Sequence, residues 1–327
     1  MRLSDKGELP LLEALRKKFG KSSRGLLLGI GDDAAVIRPA GRNMLLTTDM
    51  MVEGVHFDLA WTTPFQLGFK LVSVNVSDIY AMGGRPEYFL LNFAAPGRFK
   101  LDAFDSFFLG IGEALREYGV SLIGGDISSA DRMMLSATVT GTASRFVTRG
   151  TARPGDGVFV TGTLGDSAGG LLFLKMMKRS VEIEKGRKTS FGPGWKTVGP
   201  LIEKHLMPRP RHPGRIMKHA TAMMDVSDGL FIDLSRLCRE SGVGARIYEE
   251  LIPVSDELKE AAAFLGVAAI DLATGGGEDY ELLFTAPVND KVKAFRIGEI
   301  THKGLRIVGK TGTTKKISPE GYRHFVL

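Results

Sequence analysis

Cysteine is almost missing from this chain: Cys238 is the only one in 327 residues. A single thiol excludes an internal disulfide, and no Cys pair or Cys/His cluster has zinc-binding spacing, so a reducing cytoplasm is the expected compartment. Long apolar runs are missing too. The opening stretch, MRLSDKGELPLLEALRKKFG, sets Leu11, Leu12, Leu15 and Phe19 at helical spacing among charges, the pattern of neither a secretion signal nor a membrane span. There is no short-period repeat and no low-complexity segment. Charged residues make up 24% and apolar residues 43%, a globular composition in a chain long enough for two domains. The net charge of +6 raises nucleic acid, membrane surfaces and anionic metabolites as partners. However, the densest basic stretches, KMMKRSVEIEKGRK over 175–188 and HLMPRPRHPGRIMKH over 205–219, are broken by Glu, Pro and Gly and lack interleaved aromatics. They read as solvated loops, with Arg209 or Arg211 available to a phosphate, and neither nucleic acid nor a membrane is expected.

What the chain has in excess is glycine, 41 residues, a sign of tight turns and of backbone brought close to a ligand. It also places seven aspartates at the ends of apolar or glycine-rich runs: Asp32 and Asp33 in LLLGIGDD, Asp49 in LLTTD, Asp78 in LVSVNVSD, Asp126 in SLIGGD, and Asp225 and Asp228 in AMMDVSD. Aspartate is rarely buried without a partner, so carboxylates carried inward on hydrophobic elements need cations to offset their repulsion. Mg²⁺ suits such a set, because it takes hard oxygen ligands and shares its shell with water and substrate phosphates. The pattern is that of a multi-metal site for a nucleotide. Asp32 and Asp33, adjacent on an extended segment, point opposite ways, and Asp33 is the one assigned to the site.

Apolar runs at 25–30, 44–48, 88–94 and 133–141 predict strands, and helices are expected at 64–82 and 102–118. The first helix has Thr63 as cap, Pro64 in its first turn and Gly83 and Gly84 as its stop. Within it Leu71, Asn75, Asp78 and Met82 share a stripe, which puts two polar groups among apolar ones. Residues 149–156 are rich in turn formers and divide the chain into domains 1–148 and 149–327. The second half predicts strands at 158–161, 221–224, 245–248 and 280–286 and helices at 166–179, 228–241 and 255–265. The stretch 180–200 has no clear periodicity and is expected to be a mobile surface insertion.

Residues 304–311, GLRIVGKT, satisfy the phosphate-loop pattern GxxxxGK[ST], which works only between a strand and a helix. Here GTTKKISPEGY follows, rich in Gly, Pro and β-branched residues, so a C-terminal hairpin is expected instead.

Seven motifs occur in one order: GIGDDAAVI (29–37), TTDMMVEGVHF (47–57), VNVSDIYAMGGRPEY (74–88), IGGD (123–126), RPGDGVFVTGTLGDSAGG (153–170), DVSDGL (225–230) and GGGEDYELLF (275–284). Together they resemble the thiamine-monophosphate kinase family, from about residue 5 to the last few residues. The wider superfamily includes aminoimidazole ribonucleotide synthetase, selenophosphate synthetase and a hydrogenase-maturation enzyme. The N-terminal segment has no reactive cysteine and the chain ends in HFVL rather than a cysteine, unlike the last two; EGVHF, GGGEDYEL and the terminal GYRHF favour the thiamine enzyme over the purine one, which is the alternative.

The resemblance implies a two-domain α/β (α+β) aminoimidazole ribonucleotide synthetase-like fold, with the N-terminal domain forming a β-barrel across a homodimer interface and the C-terminal domain closing over ATP. It implies metal ligands at Asp33, Thr47, Thr48, Asp49, Asp78, Asp126, Asp225 and Asp228. ATP contacts fall at Gly125, Asp126, Arg149 and Ser227, and thiamine monophosphate contacts at His56, Glu278 and Tyr322. The implied chemistry is direct in-line transfer of the γ-phosphoryl group from ATP to thiamine monophosphate with several Mg²⁺ ions. No Ser/His/Asp or Cys/His nucleophile arrangement is evident, as expected where positioning and charge neutralisation do the catalysis.

Overall fold

The structure is a computed structural model that describes residues 14–15, 17–20, 25–28, 36–37, 43–186 and 192–318. The chain divides into two compact units, Met1–Ile79 with Gly84–Arg145, and Tyr80–Gly83 with Phe146–Leu327.

In the first unit β1 (Leu26–Leu28) and β2 (Val36–Ile37) form a short antiparallel pair. The main elements are β3 (Asn43–Val52), α1 (Pro64–Ala81), β4 (Arg85–Ala95), α2 (Leu101–Tyr118), β5 (Ser121–Ser129) and β6 (Met134–Ala143). The sheet order is β3-β6-β4-β5. Only β4 and β5 run parallel, joined through α2; the other pairs are antiparallel. The start of α1 is closed reciprocally: the Thr63 N–H donates to Gln66 Oε1 (3.0 Å) and the Gln66 N–H to Thr63 Oγ1 (3.2 Å). That is a capping box with Pro64 at the position where its missing N–H costs nothing. Helices α1 and α2 cross at Gly68 and Gly110, where a Cβ would sit 2.1 Å from the Phe107 carbonyl oxygen and 1.9 Å from that of Phe65, respectively. Phe93 of β4 packs edge-on to Phe104 of α2 at 5.3 Å, which seats the helix on the sheet.

The second unit comprises β7 (Asp156–Val160), α3 (Asp166–Met177), α4 (Trp195–Leu206), β8 (Ala222–Asp225), α5 (Leu230–Ser241), β9 (Gly244–Tyr248), α6 (Asp256–Leu265), α7 (Ala269–Gly275), β10 (Leu282–Pro287), β11 (Phe295–Thr301), β12 (Leu305–Val308) and β13 (Thr314–Lys316). The sheet order is β13-β12-β9-β11-β7-β10-β8, with β9 and β12 parallel and the remaining pairs antiparallel. Val158, Val160, Leu230, Leu234, Leu237, Ile247, Leu283 and Ile297 form its buried core.

Several elements depart from the sequence reading. Residues from Trp195 onward, expected in a mobile insertion, are helical, and Val198, Leu201 and Ile202 of α4 are buried. Pro200, on the exposed side of that helix, and the flanking glycines hide an apolar spacing that is helical. Strands β5 and β11 and helix α7 also form where none was expected. By contrast, residues 304–311 lie in the antiparallel β12–β13 hairpin, with Arg306 opposite Lys316, so the phosphate-loop match has no helix behind it.

Candidate functional site

In the first unit the site is built on strand alternation. Thr47 and Asp49 lie on the face of β3 that meets α1, and Thr47 Oγ1 donates to Asp78 Oδ2 at 2.5 Å. Thus the helix stripe that puts Asp78 among apolar residues delivers it to a strand hydroxyl. One turn earlier, fully buried Asn75 donates to the Leu71 carbonyl at 2.9 Å, while its Oδ1 has no hydrogen-bond partner. Thr48 points the other way. Its hydroxyl donates to the Ala137 carbonyl at 2.8 Å and accepts from Thr138 Oγ1 at 3.2 Å. Asp126 shares that second face, because Met50, Ser136, Asn92 and Asp126 form one register row across the four strands. Thr47 and Thr48 therefore do not offer their hydroxyls to one point.

Gly125, beside Asp126, has φ 149, and a Cβ there would lie 1.7 Å from the Leu91 carbonyl oxygen, so this position accepts only glycine. His56 follows a tight turn in which its Nδ1 accepts the Val52 N–H at 3.0 Å. An accepting Nδ1 fixes the neutral tautomer with the proton on Nε2, so the ring presents a donor from its far side. Asp33 lies outside the described residues.

In the second unit Asp225 ends β8, buried, and the turn Val226–Gly229 leads into α5. A residue that the sequence reading passed over, Asp233, holds this turn: its Oδ2 accepts the N–H groups of Ser227 (3.2 Å), Asp228 (3.0 Å) and Gly229 (3.1 Å). Arg236 bridges Asp233 and Asp228 from one turn further along. Burial, with Asp228 close by, pushes the Asp233 carboxyl up to about 6 despite those bonds. The spacing Asp228-x4-Asp233 was the available signal, an acidic residue in the first turn of a helix, within reach of the unpaired N–H groups of the turn that leads into it.

The loop Gly275–Glu281 packs on that turn. The Glu278 N–H donates to the Ser227 carbonyl at 2.7 Å and the Tyr280 N–H to that of Val226 at 2.9 Å. Glu278 and Tyr280 have φ of 64 and 51, a left-handed backbone that side chains seldom adopt and that concentrates at functional sites. This strain also explains why β10 starts at Leu282 rather than at residue 280. Fully buried Asp279 accepts the Gly165 N–H (2.6 Å) and the Ser167 N–H (3.2 Å) at the start of α3. Burial pushes it up to about 7, Asp166 adding to the effect and Lys204 and the two N–H groups opposing it. Lys204 pairs with Glu281 at 2.7 Å, and its ammonium is held above its ordinary value because Glu281, Asp279 and Asp166 outweigh its own burial. Arg211 reaches the same Glu281 at 3.5 Å, whereas Arg209 lies in an exposed pair with Glu203. Arg149 is exposed, its carbonyl accepting from Ser241 Oγ at 2.8 Å. Tyr322 lies outside the described residues.

For Mg²⁺ the donor chemistry fits: carboxylates and a threonine hydroxyl are hard oxygen ligands, and Thr47 with Asp49 and Asp78 offers them on one side of β3. Among the described residues no group of three His, Cys, Asp or Glu side chains converges on one ion position. Nor is any described helix long and apolar enough to cross a membrane.

Comparison with known proteins reaches both units. Residues 31–143 match the family described as AIR synthase related protein, N-terminal domain, and residues 153–310 match its C-terminal domain. The thiamine-monophosphate kinase of Aquifex aeolicus is 37% identical over 331 residues, covering 99% of this chain and 100% of its own. That of Corynebacterium glutamicum is 36% identical over 338 residues, covering 99% and 95%. Among solved structures, AaThiL complexed with AMPPCP and TMP superposes with a TM-score of 0.77 at 37% identity and covers 99% of each chain.

Proposed function

We propose how the residues of this chain, which belongs to the thiamine-monophosphate kinase family, divide the work of its reaction. The chain is an ATP-dependent kinase that phosphorylates thiamine monophosphate to thiamine diphosphate. The bond from the γ-phosphorus of ATP to its bridging oxygen breaks as one forms to a phosphate oxygen of the acceptor, and ADP leaves. The acceptor is a phosphate monoester with a second pKa of about 6, largely dianionic at neutral pH, so no strong base is required. The obstacle is bringing two polyanions into line, and it is met by positioning and charge neutralisation.

Within domain 1–148 the residues Asp33, Thr47, Thr48, Asp49, Asp78 and Asp126 would hold Mg²⁺, and within domain 149–327 Asp225 and Asp228 would do so. Several ions would be held, and Thr48, which faces away from Thr47 and Asp49, would serve a different one from theirs. Bound Mg²⁺ supplies charge neutralisation of the phosphates. The Thr47–Asp78 contact carries this reading, since it unites a strand and a helix on hard oxygen donors. Gly125, Asp126, Arg149 and Ser227 contact ATP, with Gly125 allowing close backbone approach. His56, Glu278 and Tyr322 face thiamine monophosphate.

The protein works as a cytoplasmic homodimer. What supports the dimer is the outward face of edge strand β3, where Met44, Leu46 and Met50 are 48%, 62% and 57% exposed; a second copy covering it completes a barrel across the interface. The experiment is ADP release with ATP and Mg²⁺, comparing thiamine monophosphate, free thiamine and no acceptor, with the product identified by chromatography. Thiamine diphosphate appearing with the monophosphate is the expected outcome; no acceptor-dependent ADP would refute it.

A further inference from the structure

We propose that His205 is a positioning residue for the phosphoryl acceptor, acting through Glu278; this rests on Glu278 facing thiamine monophosphate. His205 is the penultimate residue of α4 and is 5% exposed. Its Nδ1 lies 3.1 Å from Glu278 Oε2 and 3.0 Å from the hydroxyl of Ser167, which is fully buried in the first turn of α3. An ionised carboxylate only accepts, so Nδ1 at this distance carries the proton and donates it. Both contacts use the same ring nitrogen. A serine nucleophile relay needs the two nitrogens to face hydroxyl and carboxylate separately, so the Ser167–His205–Glu278 chain is a clamp rather than a hydrolytic triad.

The clamp has a defined task. The Glu278 backbone is held at φ 64 by its N–H bond to Ser227, which leaves the carboxylate, 28% exposed, to be oriented by its side-chain partners. His205 provides that from inside the unit. The next residue, Asp279, fixes the same loop to the α3 N–H groups beside Ser167. Helices α3 and α4 therefore set where an exposed acidic side chain points, and a residue with no substrate contact tunes acceptor binding while leaving ATP alone.

The test is steady-state kinetics with each substrate varied in turn, using His205→Ala, His205→Asn, His205→Gln and Glu278→Ala. Losing a hydrogen bond to a charged group is expected to raise KM for thiamine monophosphate by about tenfold in His205→Ala, with KM for ATP within about twofold of wild type. His205→Asn, whose amide nitrogen can occupy the Nδ1 position, should recover most of the affinity, while His205→Gln, whose donor sits one bond further out, should not. Both fill the site, so their contrast decides the matter even where His205→Ala does not fold; equal behaviour of the two overturns the proposal. In a Glu278→Ala background His205→Ala should add nothing, and an unchanged tenfold effect there also overturns it. An unaltered KM for the monophosphate in Glu278→Ala alone sinks the substrate-facing reading itself. A raised KM in Glu278→Ala with none in His205→Ala sinks only the role of His205.

Discussion

Asp279 shows how one residue couples the fold to pH. Its carboxyl, ordinarily near 3.8, holds its proton to about 7 in the folded chain because burial and Asp166 outweigh Lys204 and two N–H donors. Between those values the folded state binds more protons than the unfolded one, so this group's contribution to stability falls as pH rises from about 4 to about 7 and is level above. Asp279→Asn removes that dependence. Urea unfolding at pH 5 and pH 8 should show wild type losing stability relative to the variant at the higher pH; a parallel response would refute the assignment. Sequence inspection found Glu278 through the GGGEDYE string, but not that its neighbour Asp279 accepts N–H groups at the start of a helix more than a hundred residues away. Asp233 escaped notice for the opposite reason: it lies within a helix that was correctly expected, and its function is to satisfy N–H groups of the turn before it. Cys238, the lone thiol, is buried in the second core and pushed up to about 12 by desolvation, a structural side chain with no reactive character.

Local rules worked best for elements with explicit start and stop signals. The α1 capping box joins Thr63 and Gln66 as their spacing requires, and Thr63→Ala is expected to cost about 1 kcal/mol, seen as a thermal midpoint lowered by a few degrees. An unchanged midpoint would mean that packing alone holds the helix start. Helix α6 obeys the same logic, with Ser255 accepting the Leu258 N–H at 3.0 Å. Helix α4 failed because Pro200 stands inside it: as the sixth residue of the helix it forgoes an N–H bond to the Lys196 carbonyl, a loss offset by burial of Val198, Leu201 and Ile202 on the opposite face. Strands β5 and β11 failed because glycines interrupt their apolar pattern, and their backbones are held instead by neighbours distant in sequence.

At the scale of the molecule, the β3 face carrying Met44, Leu46 and Met50 makes association the largest remaining prediction. Light scattering should give twice the 35.5 kDa of the chain for wild type, and Leu46→Glu with Met50→Glu should shift it to the single-chain mass. A wild-type monomer would remove the barrel from the proposal. Composition and motif order by themselves determined the family, the α/β class, the acidic residues at the ends of apolar runs and the rejection of the GLRIVGKT match, because each depends on residue type and short spacing. Only the tertiary structure decided which faces these residues share. Thr47 meets Asp78 while Thr48 and Asp126 turn to the other face, because strand pairing sets register across chain separations that no local pattern encodes. The Ser167–His205–Glu278 clamp likewise exists only because α3, α4 and a strained loop pack together, and burial then shapes the charges of the groups around it.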